Sequence, residues 1–224
     1  MAQEILVAGA TGRTGKIIVK KLILQKIKPR VLVRNLSAAQ ALWGDSVGYH
    51  EGDVRDIQTL IPATSDVSAI ISAIGAQSPV GKNCPKRVGY EGVANLVQAA
   101  CAQGVRRFIL VSSIAVTHPG HPMNHFGNVL KWKLKGEEVL RQSGLEYVII
   151  RPGGLMDTPG GKRRLIYKQG DHLLGMISRA DLAEICIQAL QYPHPLRLTF
   201  EVVQAERKKQ KTQWRPPFTL NNTD

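Results

Sequence analysis

The feature that most limits the possible folds is an alternation of two hydrophobic periods along most of the chain. Short β-branched runs, bounded by glycine or proline, have the length and composition of buried strands. They predict strands over residues 4–8, 30–33, 47–50, 69–72, 107–111, 146–150 and 198–203. The longer stretches between them predict helices over residues 14–24, 37–43, 56–61, 86–103, 129–143 and 179–191.

This alternation predicts an α/β fold of the Rossmann type, a doubly wound parallel sheet with helices on both faces. Each pair of consecutive parallel strands needs a crossover, and a helix normally supplies it. A chain of 224 residues with 43% apolar residues can bury one core of this kind. We therefore expect a single domain over residues 1–203, followed by a basic tail at residues 204–224.

The net charge narrows the choice of partner. Thirty Lys and Arg residues against 17 Asp and Glu give a formal charge of +13, which favours nucleic acid, a membrane surface or an anionic small molecule. The basic run at residues 207–211 is typical of a solvated tail. The lysines of residues 131–135 are two apart and would spread around a helix instead of forming one stripe. We expect no nucleic-acid partner, because no recognition motif accompanies the charge.

Two absences in the sequence bear on the environment of the protein. No apolar run reaches about 18 residues, so we expect no integral membrane segment. The three cysteines, Cys84, Cys101 and Cys186, are far apart and form no Cys-x-x-Cys pair. This pattern predicts neither a disulfide framework nor a zinc site, and it fits a reducing cytoplasm best.

A glycine-rich turn, Gly9-Ala-Thr-Gly-Arg-Thr-Gly15, follows the first predicted strand. Glycines at every third position let a ligand approach the backbone where a side chain would block it. The helix that follows would offer free N–H groups and a positive dipole end to a pyrophosphate. The spacing is a variant of the dinucleotide fingerprint, and the alternative is a tight turn without a ligand. The predicted cofactor-binding residues here are Gly9, Thr11, Gly12, Arg13, Thr14 and Gly15.

The second predicted strand indicates which dinucleotide would bind. Proteins that prefer NAD usually have an acidic residue at the end of this strand to hold the ribose 2′-hydroxyl. Here the strand ends in Arg34, and Arg13 in the glycine turn could reach the same place. Two guanidinium groups suit a 2′-phosphate, so we expect NADP(H) as the cofactor. The alternative is a surface arginine paired with a nearby acid.

Further polar and small residues follow the later strands, at the edge where open parallel sheets bind their ligands. Asp53 and Val54 could border an adenine. Small residues after the fourth strand would let the chain pass under the ribose and phosphates, and those after the sixth would lie near a nicotinamide. The predicted site residues along this edge are Asp53, Val54, Ala73, Gly75, Ser112, Ser113, Pro152, Gly153 and Gly154.

Three histidines, His118, His121 and His125, lie in a proline-containing stretch after the fifth strand. No carboxylate or thiolate lies among them, so a zinc ion would lack a fourth ligand, and we expect no metal site. The stretch is either a wall of the substrate site or a plain surface loop.

Several motifs together resemble a known family. They are GATGRTG, VLVRN, EGDVRD, SAIGA, FILVSSIAV, ISRADLAEICIQAL and the long segment HPMNHFGNVLKWKLKGEEVLRQSGLEYVIIRPGGL. Over roughly residues 3 to 203 the chain resembles the atypical short-chain dehydrogenase/reductases of the NAD(P)H-binding, NmrA-like group. It is most similar to small plant and cyanobacterial members and to the biliverdin-IXβ reductase/flavin reductase branch. The resemblance implies bound NADP(H), with the nicotinamide near Ser113 and residues 152–154.

The chain departs from the wider superfamily at the Tyr-x-x-x-Lys motif, whose tyrosine protonates a carbonyl oxygen. If Lys135 is taken as the lysine of that motif, the tyrosine position holds Lys131. No tyrosine lies between Tyr90 and Tyr147. Carbonyl reduction through a tyrosine acid is therefore not expected.

Hydride transfer to a planar conjugated acceptor asks less of the protein, because the acceptor spreads the incoming charge and solvent can supply the proton. We therefore expect an NADPH-dependent reductase of a flavin, a biliverdin-type tetrapyrrole or a quinone, acting as a monomer. The resemblance implies a hydrogen-bonding role for Ser113, the candidate catalytic residue. Gly154 stands where the related reductase has a histidine, which implies a more open cleft or a different substrate. The alternative is a non-catalytic NADP(H)-binding redox sensor or an assembly or docking factor.

Overall fold

Strands and helices alternate along residues 4–205, the part of the chain that the computed structural model describes. The strands are β1 (Glu4–Ala8), β2 (Arg30–Val33), β3 (Gly48–Glu51), β4 (Val67–Ser72), β5 (Arg107–Val111), β6 (Glu146–Pro152), β7 (Gly154–Met156), β8 (Leu165–Lys168), β9 (Met176–Ser178) and β10 (Arg197–Gln204). The helices are α1 (Arg13–Leu24), α2 (Leu36–Trp43), α3 (Ile57–Ala63), α4 (Gly92–Ala102), α5 (Val129–Gln142) and α6 (Arg179–Gln191). Short 3-10 turns cover Gly44–Ser46 and Pro122–His125, and a π-helical turn at Lys86–Glu91 leads directly into α4.

Eight of the strands form one sheet in the order β3-β2-β1-β4-β5-β6-β10-β8. All neighbours in it are parallel except β10 and β8, while β7 and β9 form a separate parallel pair. The chain moves outward from β1 to β3 and then returns to place β4 on the other side of β1. This reversal makes a crevice at the carboxyl ends of β1 and β4, and it confirms the predicted doubly wound α/β fold.

Two apolar layers cover the faces of the sheet. Ile18 and Leu22 of α1 and Ile185 of α6 pack on one face, together with Ala39 of α2. The other face is covered by α3, α4 and α5, which contribute Leu60, Ala63, Val93, Leu96, Val97 and Leu140. Burial on both faces explains why the strands of the sheet are almost continuously apolar.

The structure contains three short strands that the sequence pattern does not predict. They are β7, β8 and β9, of three, four and three residues. A strand this short contains too few residues to show a hydrophobic period, and its pairing depends on partners distant in the chain. The helix predicted over residues 86–103 also differs, because its first part is the π-helical turn.

Two further predictions concern the basic tail and the presence of a membrane-spanning segment. Strand β10 runs to Gln204, and the Ala205 N–H donates to the Arg164 carbonyl. The basic run at residues 207–211 lies outside the described residues. Within residues 4–205, no helix is both long enough and apolar enough to cross a bilayer.

A buried ionic cluster joins α5 to the centre of the sheet. The Glu137 side chain is fully buried, and it accepts hydrogen bonds from Arg151 of β6 (2.7 Å) and Arg141 (2.6 Å). The Ser112 hydroxyl, just after β5, donates to the other Glu137 oxygen (2.5 Å). This arrangement satisfies a carboxylate that could not otherwise be buried.

Removing the Glu137 carboxylate should destabilise the fold strongly. In Glu137→Ala the buried Arg151 guanidinium loses its partner, and we expect a loss of about 3–5 kcal/mol in the free energy of unfolding. Glu138→Ala is the matched control, because Glu138 makes an exposed pair with Lys135 and should cost under about 1 kcal/mol. Urea unfolding of both variants measures the difference, and equal losses would contradict the role of the cluster.

Candidate active site

The turn between β1 and α1 requires its glycines. Gly9 has a φ of +78°, and its carbonyl oxygen accepts a hydrogen bond from Gly12 N–H (3.0 Å). A Cβ on Gly9 would lie 2.6 Å from the Ala73 carbonyl oxygen, and one on Gly15 would lie 2.1 Å from the Gly9 oxygen. Side chains at these two positions would push α1 and β4 away from the turn.

The start of α1 faces the crevice with unpaired backbone donors. The N–H groups of Arg13, Thr14 and Gly15 precede the first helical bond, from Lys16 N–H to the Gly12 oxygen (2.9 Å). Gly12 provides no side-chain cap, and the first turn contains no acid. The pyrophosphate of a dinucleotide fits such a cradle, because it accepts hydrogen bonds and interacts favourably with the helix dipole.

A cleft of about 130 Å³ begins at this turn and follows the carboxyl ends of β2, β3 and β4. The structure brings eight of the residues predicted from the sequence into its lining, namely Gly9, Thr11, Gly12, Arg34, Asp53, Val54, Ala73 and Gly75. Residues that the sequence did not single out also line it, among them Arg55, Gln77, Asn83 and Val88. Val88 belongs to the π-helical turn, and such turns are frequent at functional sites.

Positive charge is concentrated at one end of this cleft. Arg34 donates to the Asn83 side chain (3.1 Å), and Arg55 pairs with Asp53 (2.5 Å). The hydrogen bond from Arg55 lowers the pKa of Asp53 despite the partial burial of the carboxyl group, and the positive charge of Arg34 also lowers it. With Asp53 ionised and paired to Arg55, Arg34 is the cation left to meet an anionic group in the cleft.

Arg13 does not join Arg34 in the structure, contrary to the expectation from the sequence. Its guanidinium donates to Asp157 (2.9 Å), which also accepts from the buried Arg179 (2.8 Å). Asp157 follows β7, a strand that the sequence pattern did not predict. Arg13 is 72% exposed and absent from the lining of the cleft, so the second guanidinium near Arg34 is that of Arg55.

Ser112 and Ser113 differ sharply in their surroundings. The Ser112 hydroxyl points into the protein and donates to Glu137, so its side chain is not available for the cofactor role expected from the sequence. The Ser113 hydroxyl has no hydrogen bond to any described residue, and Ser113 is 9% exposed. The following N–H, of Ile114, donates to the Pro152 oxygen (3.0 Å), which holds Ser113 beside the end of β6.

The glycines after β6 make close contact with the chain that enters β9. A Cβ on Gly153 would lie 2.4 Å from the Gly175 oxygen, and one on Gly154 would lie 2.3 Å from the Met176 sulfur. Met176 therefore occupies the space that a side chain at position 154 would fill. The structure does not show the more open cleft expected at this position, because an apolar thioether fills the space, and the alternative of a different substrate stays a prediction.

The inward lysine of α5 is Lys133 and not Lys135. Lys135 forms an exposed pair with Glu138, whereas the Lys133 ammonium donates to the Val111 oxygen at the end of β5 (3.3 Å). Burial lowers the pKa of Lys133 to about 8, against the opposing attraction of Glu137.

Lys133 and Glu137 are four residues apart and share the inner face of α5. This spacing could have identified Lys133 from the sequence. The position four residues before Lys133 holds Val129, so the tyrosine is absent in either alignment.

Most of the exposed large apolar side chains lie on segments near the carboxyl ends of the strands. Seven such side chains among the described residues are exposed, and five of them lie after β4, after β5, after β8 or at the start of β9. These five are Val80, Met123, Phe126, Leu174 and Met176. The segments also contact one another, since a Cβ on Gly127 would lie 2.3 Å from the Pro79 oxygen. Walls of this kind suit a flat apolar molecule better than a small polar one.

A larger cavity, of about 900 Å³, opens at the opposite edge of the sheet. Arg107, which lines it, already donates to Glu146 and to the carbonyl oxygens of Ala189, Leu190, Tyr192 and His194. Ligands of parallel sheets bind at the carboxyl ends of the strands, and this cavity lies at their amino ends. The chemistry therefore places the candidate site in the smaller cleft.

The histidine-containing stretch lies close to Asp171, and its role as a substrate-site wall or a plain surface loop stays a prediction. His118 lies 3.7 Å from Asp171, and the His121 ring accepts from the Met123 N–H (3.2 Å). Within residues 4–205, no three His, Cys, Asp or Glu side chains are close enough together to hold a metal ion.

The parallel sheet, the glycine turn, the uncapped helix start and the cleft at the reversal point define a dinucleotide-binding protein. The family described as NAD(P)H-binding matches residues 9–193. The chain belongs to this family, within the NmrA-like atypical short-chain dehydrogenase/reductases. This confirms the resemblance and the NAD(P)H cofactor, and it places the chain among oxidoreductases.

Two relatives of known sequence support this membership, and a solved structure supports the fold. An uncharacterised chloroplastic protein of Arabidopsis thaliana is 37% identical over 84% of this chain, which spans 65% of that protein's length. Sanguinarine reductase of Eschscholzia californica is 33% identical, with 88% of each protein covered. The solved structure of ChuY, an anaerobilin reductase from Escherichia coli O157:H7, matches with a TM-score of 0.79 at 23% identity, covering 93% of this chain and all of that one.

The buried Lys133 ammonium should make stability depend on pH. The folded state loses this proton near pH 8, whereas the unfolded chain keeps it to about pH 10. Between these values the unfolded state binds more protons, so the free energy of unfolding rises with pH. Relative to Lys133→Met, wild type should gain about 1–3 kcal/mol between pH 7 and pH 10 in urea unfolding.

Lys135→Met is the matched control for this pH dependence, since it removes an exposed ammonium from the same helix. It should follow the wild-type profile. Parallel profiles for wild type and Lys133→Met would show that the surroundings of Lys133 do not lower its pKa.

Proposed function

We propose that the protein is an NADPH-dependent reductase that transfers a hydride to a planar conjugated acceptor, such as a flavin or a biliverdin-type tetrapyrrole. The observation that carries this proposal is the combination found along one edge of the sheet. A cationic cleft for a dinucleotide lies at the ends of β2, β3 and β4, the apolar Met176 packs against Gly154 after β6, and the sequence holds no tyrosine at the motif position on α5.

The preference for NADPH rests on Arg34. Its guanidinium lines the cleft at the end of β2, where an acid would hold the 2′-hydroxyl of NAD. Asn83 orients it, since the Asn83 side-chain oxygen accepts from it. A fixed guanidinium forms charge-assisted hydrogen bonds with a phosphate, so Arg34 should bind the 2′-phosphate.

The acceptor side needs few polar groups for this reaction. Bound NADPH supplies the hydride. The apolar walls hold the acceptor flat and exclude water, and such positioning accounts for much of the rate of a reaction of this kind. The Ser113 hydroxyl is free to donate a hydrogen bond to a heteroatom of the acceptor, while solvent supplies the proton. Sanguinarine reductase and the anaerobilin reductase, both similar to this chain, carry reductase names, which supports the assignment.

Arg34→Ala should separate the two nicotinamide cofactors. Losing a charge-assisted contact to the 2′-phosphate costs about 1.5–3 kcal/mol, so NADPH affinity should fall about 10- to 100-fold with little change for NADH. Arg13→Ala is the matched control, because Arg13 pairs with Asp157 outside the cleft. Calorimetric titration measures both cofactors. A larger NADPH loss in Arg13→Ala would move the 2′-phosphate site to Arg13.

Turnover tests the reductase assignment itself. We expect the protein to oxidise NADPH faster than NADH when FMN or biliverdin is offered, measured by the loss of NADPH absorbance. Ser113→Ala should keep a large part of the FMN rate, because apolar positioning provides most of the catalysis.

A different outcome would favour the alternative function. Tight NADPH binding without oxidation by FMN, biliverdin or a simple quinone would contradict the reductase assignment. It would favour a non-catalytic NADP(H)-binding sensor or docking factor.

A further inference from the structure

Asp171 is a buried carboxylate that joins two segments of the acceptor side. It lies between β8 and β9, and its side chain is fully buried. One carboxylate oxygen accepts from the Ala115 N–H (2.6 Å), and the other accepts from the Thr117 N–H and hydroxyl (both 2.8 Å). Three donors from the segment after β5 thus converge on one side chain from a different part of the chain.

The backbone at both ends of this contact is strained. Ala115 has a φ of +63° and Asp171 a φ of +67°, in the left-handed region that residues with a Cβ rarely adopt. Such strain costs about 1 kcal/mol or more per residue and persists only where the surroundings impose it. The three hydrogen bonds to Asp171, one of them from the Ala115 N–H itself, contribute to holding the Ala115 turn in this conformation.

Both segments are also fixed to the sheet. Ile114 N–H donates to the Pro152 oxygen at the end of β6, and Leu173 N–H donates to the buried Glu201 of β10. Arg151 of β6 lies 4.0 Å from the Asp171 carboxylate. Burial alone would raise the pKa of Asp171, but hydrogen bonds from Thr117 and Ala115 and the Arg151 charge outweigh it and lower the pKa. The carboxylate is therefore ionised at neutral pH.

Each segment carries side chains that the proposed function assigns to the acceptor side. Ser113 lies two residues before Ala115, and the exposed Leu174 and Met176 follow Asp171. The distance between Ser113 and the side chains of Leu174 and Met176 therefore depends on the Asp171 contacts. None of the residues that line the dinucleotide cleft hydrogen-bonds to Asp171.

We propose that Asp171 is a positioning residue for the acceptor. By holding Ala115 and Thr117, it sets Ser113 against the Leu174 and Met176 wall and so fixes the acceptor beside the nicotinamide. This inference rests on the proposed reductase function. It predicts that substitution of Asp171 lowers kcat/KM for the acceptor and leaves the NADPH dissociation constant unchanged.

The first test replaces the carboxylate. Asp171→Ala should lower kcat/KM for FMN about 10- to 100-fold while changing the NADPH dissociation constant less than about twofold. Asp171→Asn should lie between this variant and wild type, because its amide oxygen can still accept from one N–H. Steady-state kinetics with FMN and calorimetry with NADPH give the two readouts, and thermal unfolding shows that each variant is folded.

A second substitution distinguishes positioning from a general loss of stability. Glycine adopts a left-handed φ without steric cost, so Ala115→Gly added to Asp171→Ala should restore kcat/KM for FMN several-fold. The matched control is Asp66→Ala, because Asp66 is also an aspartate with a left-handed φ (+59°) but lies before β4, at the opposite edge of the sheet. It should leave the FMN parameters at their wild-type values.

The outcomes separate this inference from the proposed function. Normal wild-type turnover with unchanged FMN parameters in Asp171→Ala would overturn the positioning role and leave the reductase assignment intact. The same loss in Asp171→Ala with and without Ala115→Gly would also overturn it, because the strained turn would not be the cause. If the wild-type protein reduces no acceptor, the reductase assignment fails, and the inference fails with it.

Discussion

The contact between Gly9 and Gly15 is the constraint on which the rest of the cofactor edge depends. Since even a methyl group at position 15 would collide with the Gly9 carbonyl oxygen, α1 can begin directly against the end of β1. This brings the first N–H groups of α1 to the crevice between β1 and β4. The cleft residues at the ends of β2, β3 and β4 then face the same space, and Arg34 reaches its outer end.

The part of the edge around Ser113, where the acceptor would bind, is held in a different way. Hydrogen bonds to buried carboxylates fix it, whereas close backbone packing fixes the glycine turn. Glu137 binds Ser112 and Arg151, which ties the ends of β5 and β6 to α5. Asp171 holds the strained turn after Ser113. The exposed side chains here include the apolar Met123, Phe126, Leu174 and Met176. A rigid polar layer beneath an apolar surface suits a reaction in which holding a flat acceptor contributes more than proton transfer does.

Local patterns predicted seven of the eight strands of the main sheet, the six helices and half of the residues that line the cleft. The strand period and the glycine spacing are each visible within a few consecutive residues, so the sequence alone could indicate them. Contacts between distant segments were beyond these patterns. Arg13 pairs with Asp157, which lies 144 residues further along the chain, and Ser112 is taken by Glu137. The choice between Lys133 and Lys135 depends on which face of α5 meets the sheet. The strands β7 and β9 exist only as a pair with each other.

A crystal structure of the protein with NADP bound tests the position of the cofactor site most directly. We expect the 2′-phosphate within hydrogen-bonding distance of Arg34, the pyrophosphate on the N–H groups of Arg13 to Gly15, and the nicotinamide beside Ser113 and Gly153. A dinucleotide bound instead in the larger cavity at the amino ends of the strands, beside Lys26 and Lys28, would show that this site is misplaced.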